Sequence, residues 1–154
     1  MCGICWGHQT IALVFGGEVV DMAMPELGVT EVTLTAAGER FFKPQQEALT
    51  TCATSPPTTL RVQQHHRREV SVAPPEFVHL AADNQIFLSP NNNILTIQSH
   101  PEKDAQTAKL RIGDVRRWFP EGVGTEDEVI KRMELPHDGL AIWERILRWA
   151  LEEG

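Results

Sequence analysis

Hydrophobic residues recur at two different periods along this sequence, and their order predicts a protein of mixed helices and strands. Residues 29–35 alternate between apolar and polar and are rich in β-branched side chains, which is typical of a half-buried strand. Apolar runs at 18–22, 60–64 and 94–98 predict further strands, the last of them buried on both faces. Strands interleaved with helices favour the α/β fold class.

Turn residues and helical spacing fill in the rest of the chain. Apolar runs at 77–82 and 85–88 predict a hairpin around Asp83-Asn84, and a loop punctuated by Pro25 is expected at 24–28. Residues 47–59 are only weakly patterned. Helices are predicted at 9–15, 37–42, 103–119, 126–133 and 139–152. We expect the last helix to turn five apolar side chains inward: Leu140, Trp143, Ile146, Leu147 and Leu151.

Composition restricts the classes of function. A chain of 154 residues with 42% hydrophobic residues has the size of one domain with a real core. Its net charge of −7 argues against a nucleic-acid partner, and its apolar runs are too short to span a membrane. There is no secretory pattern, and the cysteines Cys2, Cys5 and Cys52 are too unevenly spaced for a disulfide framework. We therefore expect a cytoplasmic protein.

The stretch Gly3-Ile4-Cys5-Trp6-Gly7-His8-Gln9 carries the clearest chemical signal. A cysteine with glycine two residues before and two residues after it has the spacing of a nucleophile elbow, a sharp turn from a strand into a helix. The strained turn should require small residues at both flanking positions. The positive end of the helix dipole should favour the thiolate of Cys5, which is the nucleophilic form of cysteine.

A cysteine nucleophile needs a base, and the run Gln98-Ser99-His100-Pro101-Glu102 offers one at the end of a predicted strand. His100 can take the thiol proton and later protonate the leaving group. Glu102 can orient the imidazole and stabilise its charged form. Alone, the run would be an ordinary surface turn; together with Cys5 it predicts a Cys-His-Glu triad.

These two stretches, with Gln64-His65-His66-Arg67-Arg68-Glu69-Val70 between them, resemble the class I (triad-type) glutamine amidotransferase domain. The resemblance covers residues 1–109 of a single domain at 1–154, with a C-terminal helical extension at 120–154. It implies a flavodoxin-like, mostly parallel sheet flanked by helices. The family domain has a large segment before its cysteine, so we expect this domain to be truncated at its N-terminus.

The resemblance also assigns roles to residues. It implies catalysis by Cys5, His100 and Glu102, with the backbone amide of Trp6 as one donor of the oxyanion hole. Gln9 and His66 would line the glutamine pocket. Arg68 departs from the family pattern, which often has an acidic residue there. No cofactor is implied, and the Cys2-x-x-Cys5 pair lacks the second ligand pair of a zinc site.

The reaction implied is hydrolysis of the side-chain amide of glutamine through a γ-glutamyl thioester, with release of ammonia to a separate partner enzyme. Two alternatives stay open at the level of sequence. The same triad could hydrolyse γ-glutamyl peptides such as glutathione conjugates, or the domain could be an impaired remnant that acts as a binding module. In the first two cases the substrate is a small molecule.

Overall fold

The computed structural model describes residues 1–43, 58–112 and 123–152, and its elements confirm the α/β prediction. The predicted hairpin and the helix at 126–133 are both present, whereas the first helix begins at Trp6, three residues earlier than predicted. The weakly patterned run at 47–59 and the predicted helix at 103–119 lie partly outside the described residues. In chain order, the described elements are β1 (Cys2–Ile4), α1 (Trp6–Val14), β2 (Glu18–Thr33), α2 (Ala36–Phe41), β3 (Thr59–Val72), β4 (Val78–His79), β5 (Ile86–Leu88), β6 (Leu95–Ile97), α3 (Ala105–Leu110), α4 (Glu126–Met133) and α5 (Gly139–Leu151).

The first sheet has the strand order β1-β6-β5-β4 and is mixed. β1 pairs with β6 in parallel, whereas β6 with β5 and β5 with β4 pair antiparallel. The expected mostly parallel sheet is therefore not confirmed in the part of the chain that the structure describes. Short turns join β4 to β5 and β5 to β6, and such turns can connect only antiparallel neighbours. The positive φ angles of Asp83 and Asn84, 51° and 55°, form the first of them.

The second sheet is the long antiparallel pair of β2 and β3. The loop predicted at 24–28 is wrong, because these residues belong to β2, with a register shift between Asp21 and Glu26 that accommodates Pro25. β3 also anchors two later segments of the chain. The backbone N–H of His100 donates to the Gln63 carbonyl at 2.8 Å, and that of Asp138 donates to the Arg61 carbonyl at 2.8 Å.

The main core lies between the two sheets and α5. It contains Val62 and Leu80 from around the sheets and Ile142, Ile146 and Trp149 from the helix. The prediction for this helix was partly wrong: Ile146 is buried and Trp143 is half-buried, but the three leucines face outward. The buried stripe instead follows Gly139, Ile142, Ile146 and Trp149, the spacing of one helical face. The exposed side chains are Leu140, Leu147 and Leu151.

A smaller core holds α1 against the sheets through Ala12, Val70, Phe77 and Phe87. His8 of α1 is fully buried beside it, stacked on the ring of Phe87 with the ring centroids 5.0 Å apart. Burial lowers the pKa of His8 to about 3, so the folded protein holds this ring neutral. His8 is thus a packing residue within the helix that follows Cys5.

None of the helices that the structure describes is long and apolar enough to cross a membrane.

Gly38 of α2 lies directly against the backbone of Leu80, and a Cβ at this position would overlap the Leu80 carbonyl oxygen. We expect Gly38→Ala to lower the free energy of unfolding by about 1–3 kcal/mol, because the overlap outweighs the better helix propensity of alanine. Urea denaturation measures the change. The matched control is Gly7→Ala in α1, where an added Cβ meets nothing within 4 Å. The control should gain up to about 1 kcal/mol, and equal effects of both variants would contradict the packing described.

His8 makes stability depend on pH. Its pKa is lowered from 6.5 to about 3, so the unfolded chain binds the proton first. The contribution is complete above pH 6.5 and is lost as the pH falls toward 3, by about 3–5 kcal/mol in all. Urea denaturation at several pH values should show a shallower acid loss for His8→Phe than for the unmodified protein. Parallel curves for the two proteins would refute the assignment.

Candidate active site

Cys5 occupies a strained turn between β1 and α1. Its φ and ψ angles are 49° and −102°, a combination that L-residues rarely adopt, and its backbone N–H donates to the Ile97 carbonyl at 2.8 Å. A Cβ on Gly3 would lie 2.5 Å from Ile11 and 3.0 Å from the Gly7 backbone, so the small residue two before the cysteine is required. The same expectation for Gly7 is not supported, because a Cβ there would be in open space.

The charge state of Cys5 differs from the expectation drawn from the helix dipole. Burial raises the pKa of its thiol, and the charge of Glu102 raises it further. Lys103, the backbone N–H of Trp6 and Arg68 act in the opposite direction without reversing the shift. Because burial outweighs the helix terminus, the free thiol is favoured, and an attack by sulfur needs a nearby base.

His100 and Glu102 form the tightest polar contact near the cysteine. The Nδ1–H of His100 donates to Oε1 of Glu102 at 2.7 Å. Burial opposes the ionisation of Glu102, but the hydrogen bond from His100 and its charge bring the pKa of Glu102 below its usual value. A carboxylate can only accept, so it fixes the tautomer in which Nε2 of a neutral His100 carries the lone pair.

The sheet brings the cysteine and this pair to the same edge. Ile4 of β1 lies beside Ile97 of β6, and the strands run parallel, so Cys5 and the turn at 98–102 both leave from their carboxyl ends. The charge of Glu102 acts on both Cys5 and His100. The side chain of His100 is 14% exposed and Cys5 is partly exposed, so the site is open to a small molecule.

Gln9 and His66, the predicted pocket residues, are both buried and joined through one backbone atom. The carbonyl of Arg68 accepts from Nε2 of Gln9 at 2.8 Å and from Nδ1 of His66 at 3.0 Å. On its other side, Nε2 of His66 lies 3.1 Å from Oε1 of Gln64 and 3.0 Å from Oε2 of Glu26. Their assignment to substrate binding stays a prediction. Their observed contacts are with the protein itself.

Three residues near Cys5 were missed by the sequence analysis. Gln98 is 1% exposed, with its Nε2 3.8 Å from the Cys5 sulfur. Lys103 places its charge near the sulfur, and Glu26 lies against His66. Gln98 could have been suspected, because it ends a buried strand beside the predicted base. Nothing in the sequence pattern pairs Glu26 with His66, since that contact depends on the register of β2 and β3.

The backbone N–H of Trp6 is directed at the Cys5 sulfur, at the start of α1, where backbone donors have no partner within the helix. Its role as an oxyanion donor stays a prediction. No group of three or more potential metal ligands was found among the described residues.

Comparison with known proteins places these features in a family. A family model described as glutamine amidotransferase class-I matches residues 1–114. The glutamine amidotransferase-like protein chry6 of Gibberella zeae is 34% identical over 152 residues, which cover 98% of this chain and 57% of that protein. A subunit of the glutamine-hydrolysing GMP synthase of Sulfolobus acidocaldarius is 33% identical over 106 residues, which cover 65% of this chain and 49% of that protein.

Solved structures agree in fold. The crystal structure of a glutamine amidotransferase from Thermotoga maritima matches with a TM-score of 0.71 at 22% identity, covering 98% of this chain and 62% of that one. The present chain thus spans a little over half the length of the curated relatives that it matches along its whole length. The family model covers most of this chain, including the Cys5 turn and the His100–Glu102 pair, and the chain therefore belongs to the class-I glutamine amidotransferase family.

Proposed function

We propose that this protein hydrolyses the side-chain amide of glutamine, with Cys5 as nucleophile, His100 as general base and acid, and Glu102 as the group that orients His100. The observation that carries the proposal is the 2.7 Å hydrogen bond between His100 and Glu102 at the strand edge from which Cys5 also emerges. Family membership supports the choice of glutamine, because the named relatives include part of a glutamine-hydrolysing GMP synthase.

The proposed reaction follows from the protonation states at the site. Nε2 of His100 takes the Cys5 proton as the sulfur attacks the amide carbon, and Glu102 stabilises the imidazolium that forms. The oxyanion of the tetrahedral intermediate accepts from the backbone N–H of Trp6. His100 then returns the proton to the leaving nitrogen, so ammonia departs and a γ-glutamyl thioester remains. Water activated by His100 cleaves the thioester, giving glutamate and the free thiol.

We further propose that the ammonia is used by a separate partner enzyme. The GMP synthase relative from Sulfolobus is named as one subunit of a larger enzyme, which supports this arrangement. Because the chain spans about 57% of its full-length relatives, the acceptor and the partner belong to this proposal.

A glutamine analogue with an electrophilic diazoketone in place of the amide should label Cys5 and spare Cys2 and Cys52. The reason is that recognition of the glutamyl group, and not thiol exposure, selects the site: Cys2 is exposed, whereas Cys5 is only partly so. Peptide mass spectrometry locates the label. Cys2→Ser should be labelled like the unmodified protein and Cys5→Ser should not be labelled. Equal labelling of Cys2 and Cys5 would argue against a glutamine site at Cys5.

Removing either partner of Cys5 should slow ammonia release by about 10²–10⁴-fold. His100→Asn lacks the base, and Glu102→Gln loses the carboxylate that fixes the imidazole tautomer. A coupled assay for glutamate measures the rates. His79→Asn is the matched control, because His79 is exposed and lies on β4, at the far side of the first sheet from β1. Full activity of His100→Asn would rule out the proposed base.

A further inference from the structure

A chain of buried amide groups runs from β3 to the sulfur of Cys5, and its polarity is fixed at one end. The Arg68 carbonyl can only accept, so the Gln9 atom 2.8 Å away must be the amide nitrogen. That nitrogen lies 3.1 Å from the side chain of Gln98, so the facing atom of Gln98 must be its oxygen. The remaining atom of the Gln98 amide is then Nε2, which lies 3.8 Å from the Cys5 sulfur.

His66 holds the fixed end of the chain in place. Its Nδ1 lies 3.0 Å from the same Arg68 carbonyl, and therefore carries the hydrogen, so the carbonyl receives two donors. The side chains of Gln9, His66 and Gln98 are all at least 96% buried, by relative exposures of 4%, 3% and 1%. Reversing any amide in such a place would set acceptor against acceptor without water to compensate.

We propose that Gln98 stabilises the thiolate of Cys5 by donating an N–H to its sulfur, and that Gln9 and His66 are positioning residues that fix the direction of this donor. A thiolate is a much stronger acceptor than a thiol, so a donor held in this direction favours the ionised form. The inference rests on the proposed function, in which Cys5 is the nucleophile. It gives Gln9 and His66 a task that uses the contacts they make in this structure.

The donor acts among several charges. Arg68 of β3 and Lys103 of the turn after His100 favour the thiolate, as does the backbone N–H of Trp6. Glu102 opposes the thiolate, and burial opposes it more strongly. His100, bound to Glu102, is the remaining titratable group of this turn. Gln98 contributes no net charge, so it can offset the cost of burial at any pH at which the protein is folded.

The test is the pKa of the Cys5 thiol, read from the pH dependence of its alkylation by iodoacetamide and located by peptide mass spectrometry. In Gln98→Met, which keeps the volume but lacks the donor, we expect the thiolate fraction at a given pH to fall about 10- to 100-fold. Gln63→Met is the matched control, because Gln63 is an equally buried amide whose Nε2 donates to the Met133 carbonyl at 2.7 Å. The control should leave the Cys5 titration unchanged, and the Cys2 titration should be the same in every variant.

A double-mutant cycle tests the positioning role. Gln9→Met alone should lower the thiolate fraction less than Gln98→Met does, because Gln98 keeps its donor but loses its orientation. The double variant should match Gln98→Met, whereas additive effects would show that Gln9 acts by a separate route and would overturn the relay. An unchanged Cys5 titration in a folded Gln98→Met protein would overturn the whole proposal.

Two features keep the outcome decisive. If Gln98→Met does not fold, the side-chain amide resonances of Gln98 in the unmodified protein should shift as Cys5 ionises and should not shift in Cys5→Ala; no shift in the unmodified protein would overturn the proposal. Alkylation does not require glutamine, so absence of glutaminase activity would count against the proposed function and leave the hydrogen bond to be judged by the titration.

Discussion

The parallel pairing of β1 with β6 determines where the reactive groups of this protein lie. The pairing spans only three residues on each strand, from Cys2 opposite Leu95 to Ile4 opposite Ile97. Parallel strands bring their carboxyl ends to the same edge of a sheet, so the turn that carries Cys5 and the turn that carries His100 begin side by side. The hydrogen bond from Cys5 N–H to the Ile97 carbonyl continues this ladder into the strained turn itself.

The second sheet supplies the environment of that edge. β3 fixes the backbone of His100 through the Gln63 carbonyl and offers the Arg68 carbonyl to Gln9 and His66. The residues between the sheets are unusually polar for an interior, since Gln9, Gln64, His66 and Gln98 are all buried. Each has a hydrogen-bond partner, and such a network is costly to leave half satisfied. The polar interior therefore specifies one arrangement of the groups behind the sulfur.

Sequence patterns predicted the local features of this fold well. Glycine spacing marked the Cys5 turn, and Asp83-Asn84 marked the hairpin, because both depend on backbone conformations that few residues adopt. Features that depend on tertiary contacts were predicted poorly. The face of α5 was misjudged because leucines lie on both sides of the helix, and the packing against β3 and Asn92 buries Trp149. The mixed sheet depends on turn lengths, and those were present in the sequence but were outweighed by the family expectation.

The candidate site was predicted as residues, whereas its electrostatics were not. The helix terminus at Trp6 was expected to favour the thiolate, but burial raises the pKa of Cys5, and the extent of burial is a property of the folded chain. Gln98, Lys103 and Glu26 act on the site from three different segments, so no local spacing could assign them. The family resemblance located the chemistry, and the folded structure shows which groups surround it.

The central claim is that the sulfur of Cys5 attacks glutamine with the help of the His100–Glu102 pair across the β1–β6 edge. The most direct test is to mix the protein with isotopically labelled glutamine, quench with acid within the first turnover and search for the label by peptide mass spectrometry. The account predicts a γ-glutamyl thioester on the peptide that contains Cys5, separated by fragmentation from Cys2. Glutamate released without any labelled Cys5 peptide, or a label on another residue, would contradict it.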